Sequence, residues 1–174
     1  KAAEQNYAPA QANLGGHYAS GQGVGKDYTE AVKWYRQAAE RGDTEAQYSL
    51  GACCAEGRGV AQDEVEAAKW FRKAAEQNHA GAQAISGTAH HEGRGVAKDY
   101  AQAVKWWLVA AGQNHAGAQF NLAACYATGR GVTLKDAEAR LVEPWTGQKW
   151  TLVIGQTKWP FGYEVNQSSG DREF

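Results

Sequence analysis

The chain has 174 residues and a formal net charge of -1, with 18 basic and 19 acidic side chains. That balance excludes the basic face a nucleic-acid footprint requires, and no apolar run approaches the roughly 18 residues of a membrane span. Cys53, Cys54 and Cys125 do not make a disulfide framework; adjacent Cys53 and Cys54 would bond only with strain, so buried free thiols are expected.

In chain order, Lys1-Ala2-Ala3-Glu4-Gln5-Asn6 returns as Lys73-Ala74-Ala75-Glu76-Gln77-Asn78. The chain is therefore expected to start inside a repeat (residues 1–7), as a piece of a longer array. Gly21-Gln22-Gly23-Val24-Gly25-Lys26-Asp27 recurs 36 residues later as Gly57-Arg58-Gly59-Val60-Ala61-Gln62-Asp63, and once more as Gly93-Arg94-Gly95-Val96-Ala97-Lys98-Asp99. A damaged copy begins at Gly129. A fixed period of this size marks a solenoid, whose core is a seam running between stacked units. Full repeats are expected at 8–43, 44–79 and 80–115, a partial one at 116–143, and a non-repeat tail at 144–174.

Within unit 44–79, Ala46, Leu50, Gly51 and Cys54 fall on one face of a first helix, with Ala10, Leu14, Gly15 and Tyr18 as counterparts one unit earlier. The small Gly51 lets the second helix approach. Gly57 stops the first helix, and Gly59 permits a turn with positive φ. Asp63 with Glu66 reads as a capping box for the second helix, repeated by Asp27 with Glu30 and Asp99 with Gln102. Ala67, Trp70, Phe71, Ala74 and Ala75 form its apolar stripe. The same stripe recurs around Trp34 and Trp106. Gly42, Asn78 and Asn114, residues that tolerate the left-handed conformation, end these helices. The expected structural core of the repeats is Leu14, Trp34, Leu50, Trp70, Trp106 and Leu122.

The run Ala-x-x-x-Leu-Gly-x-x-Tyr-x-x-Gly-x-Gly-Val-x-x-Asp, followed by Ala-x-x-Trp-Tyr-x-x-Ala-Ala, resembles the Sel1-like repeat, a relative of the tetratricopeptide repeat of about 34 residues. The resemblance covers residues 1 to about 132. It implies an all-α, right-handed superhelical solenoid of helix hairpins, here with an irregular or β-like C-terminal tail. Departures occur at Cys54 and His90 in place of Tyr, Ser86 in place of Leu, and Ala123 in place of Gly. The cysteines that staple each repeat in some members of the family are missing. Past Val132, Thr133 to about Val142 reads as a short helix ended by Pro144. Trp150 to Ile154 then reads as a strand, and Trp159 to Tyr163 as a turn. This tail is either a docked cap for the apolar end of the array or a segment foreign to the fold.

The glycine loops do not read as phosphate cradles, because a helix precedes each one and the Walker lysine-hydroxyl pair is missing. Arg58, Arg94 and Arg130 form either a cationic ridge or a solvated loop edge. Cys54 and His90 occupy equivalent positions in adjacent units, yet four ligands at metal spacing are missing, so a core histidine is expected. His79 and His115 sit in the turn between units, as a structural position would. No nucleophile-base set can be picked out, and neither a metal nor a cofactor is expected.

What remains is a surface. Resemblance to the family makes the concave side, lined by first helices, the expected site for a protein or peptide partner. Its candidates are Asn13, His17, Ser49, Cys53, Glu56 and Asn121, with Tyr48 and Phe120 as aromatic anchors on its flank. Asn side chains there can hydrogen-bond an extended backbone through both donor and acceptor. Two rivals stand beside this interaction scaffold. One is a β-lactamase-like or penicillin-binding hydrolase, as described for cysteine-rich relatives. The other is self-association through residues 145–174. A bacterial origin is expected, with periplasmic, secreted and cytoplasmic locations all open.

Overall fold

The computed structural model describes residues 7–129, 140–142 and 149–151. The chain divides into two compact units, Lys1–Val132 and Thr133–Phe174. Among its described residues the first holds seven helices of 13 residues each: α1 (Ala8–Ser20), α2 (Tyr28–Glu40), α3 (Thr44–Glu56), α4 (Glu64–Glu76), α5 (Ala80–Glu92), α6 (Tyr100–Gly112) and α7 (Ala116–Thr128). Each packs on its neighbours in the chain, α1 on α2, α2 on α3 and so on to α7. The result is the all-α solenoid of stacked hairpins that the period implies.

The punctuation of the helices follows from their termini. Asp27, Asp63 and Asp99 cap α2, α4 and α6, each carboxylate accepting two backbone N–H bonds from the first turn. Only the Asp half of the expected capping box forms at Asp63. Glu66 turns away, accepting from the Trp70 indole at 3.3 Å and pairing with Arg36 of α2 at 2.9 Å. These two contacts, the indole bond first, hold the Glu66 carboxyl below its ordinary range. The first helices are capped by Asp43, His79 and His115. Gly42, Asn78 and Asn114 adopt positive φ after the second helices, where the left-handed residue closes the C-terminal turn.

Across each hairpin a ring of the second helix fills the space left by a glycine of the first. A Cβ on Gly15 would sit 2.7 Å from the Tyr35 ring, on Gly51 3.0 Å from Phe71, and on Gly87 2.5 Å from Trp107. Tyr35, Phe71 and Trp107 are all buried. This corrects the expected core. Leu50, Trp70 and Leu122 are buried, but Leu14, Trp34 and Trp106 are only half-buried. Trp106 still packs on Ala74, Ala75 and Ala82 in the seam between units, where the core of a solenoid is expected. Burying a ring of this size contributes about 1.5–3 kcal/mol.

The recurring loop has a similar geometric cause. Gly59 and Gly95 lie so close to the start of the preceding second helix that a Cβ would overlap the carbonyls of Tyr28 and Glu64. Both also have positive φ, at 70° and 66°. The loop motif is thus a joint between successive units.

In the second unit, β1 (Arg140–Val142) pairs antiparallel with β2 (Lys149–Thr151). The helix expected to run to Val142 is therefore corrected: its last three residues are extended and hydrogen-bonded to β2. The strand expected from Trp150 overlaps β2. The expected turn at 159–163 lies outside the described residues.

Candidate partner-binding site

Three of the residues picked from the first helices converge. Asn13 and His17 of α1 and Ser49 of α3 line one open cleft of about 400 Å³. They meet because Asn13 and His17 are one helical turn apart and Ser49 is the equivalent of Asn13 one unit on. Gly16 lies between them in the wall. A Cβ built there touches only the Tyr35 hydroxyl, at an ordinary 3.8 Å. Tyr35 also lines the cleft; its hydroxyl hydrogen-bonds Ser49, and burial raises its pKa. Asn13, His17 and Gln22, all exposed, make no side-chain hydrogen bond or ion pair among the described residues, so their polar groups are free to meet a ligand.

The other candidates lie elsewhere. Cys53 is corrected from a groove-facing residue to a core one. It is buried beside Tyr35 in the first core cluster, and burial pushes its thiol up. Cys54 is buried as well, its thiol pushed up to about 11 by desolvation, and Cys125 is also buried. With their pKa values raised by burial, the Cys53 and Cys54 thiols are poor nucleophiles. Glu56 is exposed but pairs with Arg58 in its own loop at 2.6 Å. Tyr48 is packed, stacked 4.5 Å from the His79 ring and 5.7 Å from Phe71. Asn121 and Phe120 sit on α7, far along the array from α1, with Asn121 half-buried and Phe120 74 % exposed.

The loop arginines do not stand as an unpaired ridge. Arg58 and Arg94 pair with Glu56 and Glu92 at 2.6 and 2.7 Å. Arg130 lies outside the described residues. His90 sets its Nδ1 2.8 Å from the Ser86 carbonyl, and His91 packs edge-on against Tyr100. His79 and His115 accept backbone N–H bonds from Ala82 and Ala118 through Nδ1, so their place between units is that of a helix cap.

Sequence reasoning missed one recurring set. Gln47 and Gln83 are buried, and each donates through Nε2 to a carbonyl of the preceding second helix, Ala39 or Ala75, at 3.1 Å. Gln77 and Gln113 then donate to the Oε1 of Gln47 and Gln83, both at 2.7 Å. Gln119 repeats the first bond to Ala111 at 3.4 Å. In the opening unit Gln11 donates to Gln37 at 3.0 Å and accepts from Arg41 at 3.4 Å. The signal was in view, since Gln11, Gln47, Gln83 and Gln119 share the period of 36; it was hidden because a polar residue is not sought on a core face. Glu45 and Gln22, which also line the cleft, lie off the spacing used to trace the first-helix surface.

Taken together, stacked hairpins with an open polar cleft on their first helices define a helical-repeat scaffold. The Sel1 repeat pattern matches residues 8–43, 44–79, 80–115 and 116–139. The chain belongs to the Sel1 repeat family, whose arrays are in general protein-interaction scaffolds on a non-catalytic repeat fold. Among solved structures it is similar to c5321, a protective antigen present in uropathogenic Escherichia coli strains and displaying an SLR fold. That match has 43% identity and a TM-score of 0.75, covering 79% of this chain and 29% of that one. It is also similar to a Sel1 repeat protein from Oxalobacter formigenes, with 38% identity and a TM-score of 0.73, over 78% of this chain and 57% of that one. A third match is Helicobacter pylori cysteine rich protein B, with 25% identity and a TM-score of 0.57, over 69% and 92% of the two chains. The chain thus spans less than two thirds of the first two. No curated protein matches the chain. Among the described residues no helix is long and apolar enough to cross a membrane.

Proposed function

We propose that the chain binds an extended peptide segment of a protein partner in the cleft between α1 and α3. The observation that carries this reading is the convergence of Asn13, His17 and Ser49 on that one opening, with the Asn13 amide unspent within the described fold. An amide of this kind offers a donor and an acceptor to a main chain. Gly16 keeps the wall open because it has no side chain. In this reading the chain holds a partner and transforms none.

Gly16→Leu tests it. The new side chain meets no clash at its Cβ, and leaving glycine in mid-helix is favourable by about 0.8–1.0 kcal/mol on the intrinsic scale. Peptides enriched on the full chain from a random nonamer display library should bind this variant about tenfold more weakly or worse, a loss of about 1.4 kcal/mol. Its helical melt should be unchanged or raised. Equal binding by Gly16→Leu would sink the cleft. Asn13→Ala should weaken the same peptides; a melting temperature that fell in step would make Asn13 structural. Nitrocefin turnover by the purified chain, abolished by a single polar-to-Ala change, would replace the scaffold with a hydrolase.

A further inference from the structure

Resting on the cleft reading above, we infer that the bound segment is selected for a lysine or arginine, which Glu45 receives. Glu45 lines the cleft beside Asn13, His17 and Ser49, at the first turn of α3. Its side chain is 76 % exposed, so a partner can reach it. No lysine or arginine lines the cleft. The other carboxylates on the first helices are already matched, Glu56 by Arg58 and Glu92 by Arg94. Among the described residues Glu45 has neither a Lys nor an Arg partner.

Its one ionic neighbour among the described residues is a histidine. His79 Nε2 lies 3.4 Å from the Glu45 carboxylate. The opposite nitrogen, Nδ1, accepts the Ala82 N–H at 3.0 Å, which requires that nitrogen to be unprotonated. The ring proton therefore sits on Nε2, facing Glu45, and the imidazole is neutral. The ring is fixed by its stack on Tyr48 at 4.5 Å. A neutral imidazole beside a carboxylate does not cancel its charge. The equivalent positions in the other units are Pro9, Gly81 and Gly117. The carboxylate is thus not something each repeat needs in order to fold; it belongs to this cleft alone.

The test is the composition of peptides that the full chain enriches from the nonamer library near pH 7, with Glu45→Gln and Gly16→Leu selected in parallel. The expected result is enrichment of Lys and Arg over the input library, lost on Glu45→Gln. For a single lysine peptide, norleucine in place of lysine should weaken binding about two- to fivefold, as for a partly exposed ion pair. Glu45→Gln should remove that difference, so that the lysine and norleucine peptides bind the variant equally. Enriched peptides without a basic bias, or a basic bias that survives in Glu45→Gln, would overturn the inference and leave the cleft standing. Enrichment no greater than on Gly16→Leu would overturn the cleft, and the selectivity with it.

Discussion

Glycine has three separate jobs in this chain, and the structure tells them apart residue by residue. Gly16 leaves an opening, Gly51 admits a ring, and Gly95 lets two backbones touch. Gly23, Gly59 and Gly95 occupy one repeat position and all have positive φ, and Gly59 and Gly95 also lie against the start of an earlier second helix. A Cβ at Gly23 meets nothing within 4 Å. Replacing Gly23 with Ala should therefore cost only the backbone term, about 1 kcal/mol. Gly95→Ala adds a backbone overlap and should cost about 2–4 kcal/mol, in the class of overpacked, conformationally strained sites. Urea unfolding of the two variants measures the difference, and equal losses would mean the loops do not act as joints.

At the scale of helices, the hairpin interior was readable and the polar ladder was not. Ring-and-small-residue stripes are periodic and apolar, so Phe71 over Gly51 follows from spacing alone. Which ring of Trp34-Tyr35 or Trp106-Trp107 is buried more deeply depends on the angle between helices, which spacing does not encode. The same limit misplaced Cys53: its interval from Asn13 and Ser49 pointed outward, but the thiol lies beneath the cleft next to Tyr35. Of the candidate site, Asn13, His17 and Ser49 were legible as one face. Glu45 was not, since it lies off the helical spacing that joins the other three and enters the cleft only through its place in the first turn of α3. The ladder itself should matter energetically. Gln47 adds a second hydrogen bond to the Ala39 carbonyl in the last turn of α2, which also accepts from the Gly42 N–H at 3.0 Å. Gln47→Leu keeps most of the volume but removes two hydrogen bonds, one to the Ala39 carbonyl and one from the Gln77 amide, which at about 0.5–1.5 kcal/mol each should destabilise by about 1–3 kcal/mol. Chemical denaturation reads this directly, and a neutral outcome would reduce the ladder to incidental contact.

For the molecule as a whole, stability is set by contacts between successive units, because helices touch only near neighbours in the chain. The middle hairpin, α3 with α4, is covered on both sides. α7 packs on α6 but has no second helix among the described residues. Amide exchange should therefore be slowest in α3 and α4 and fastest in α7, as expected when opening starts at an end. Uniform protection from α1 to α7 would show a single all-or-none block instead. Such a gradient also suits the cleft, because Asn13 and Ser49 sit on either side of the junction between the first two units, so their spacing depends on that seam staying closed.

The glutamine ladder carries a consequence for how such chains are assembled over evolutionary time. Three of its bonds, from Gln47, Gln83 and Gln119, join the fourth residue of one 36-residue module to the last turn of the second helix in the module before it, with the same amide-to-carbonyl chemistry. A module copied, deleted or borrowed from another array would dock in phase provided it brings that one amide with it. The array is built as interchangeable tiles with a common connector, and only what is written on each tile, such as the lone acidic residue at position 45, is free to diverge.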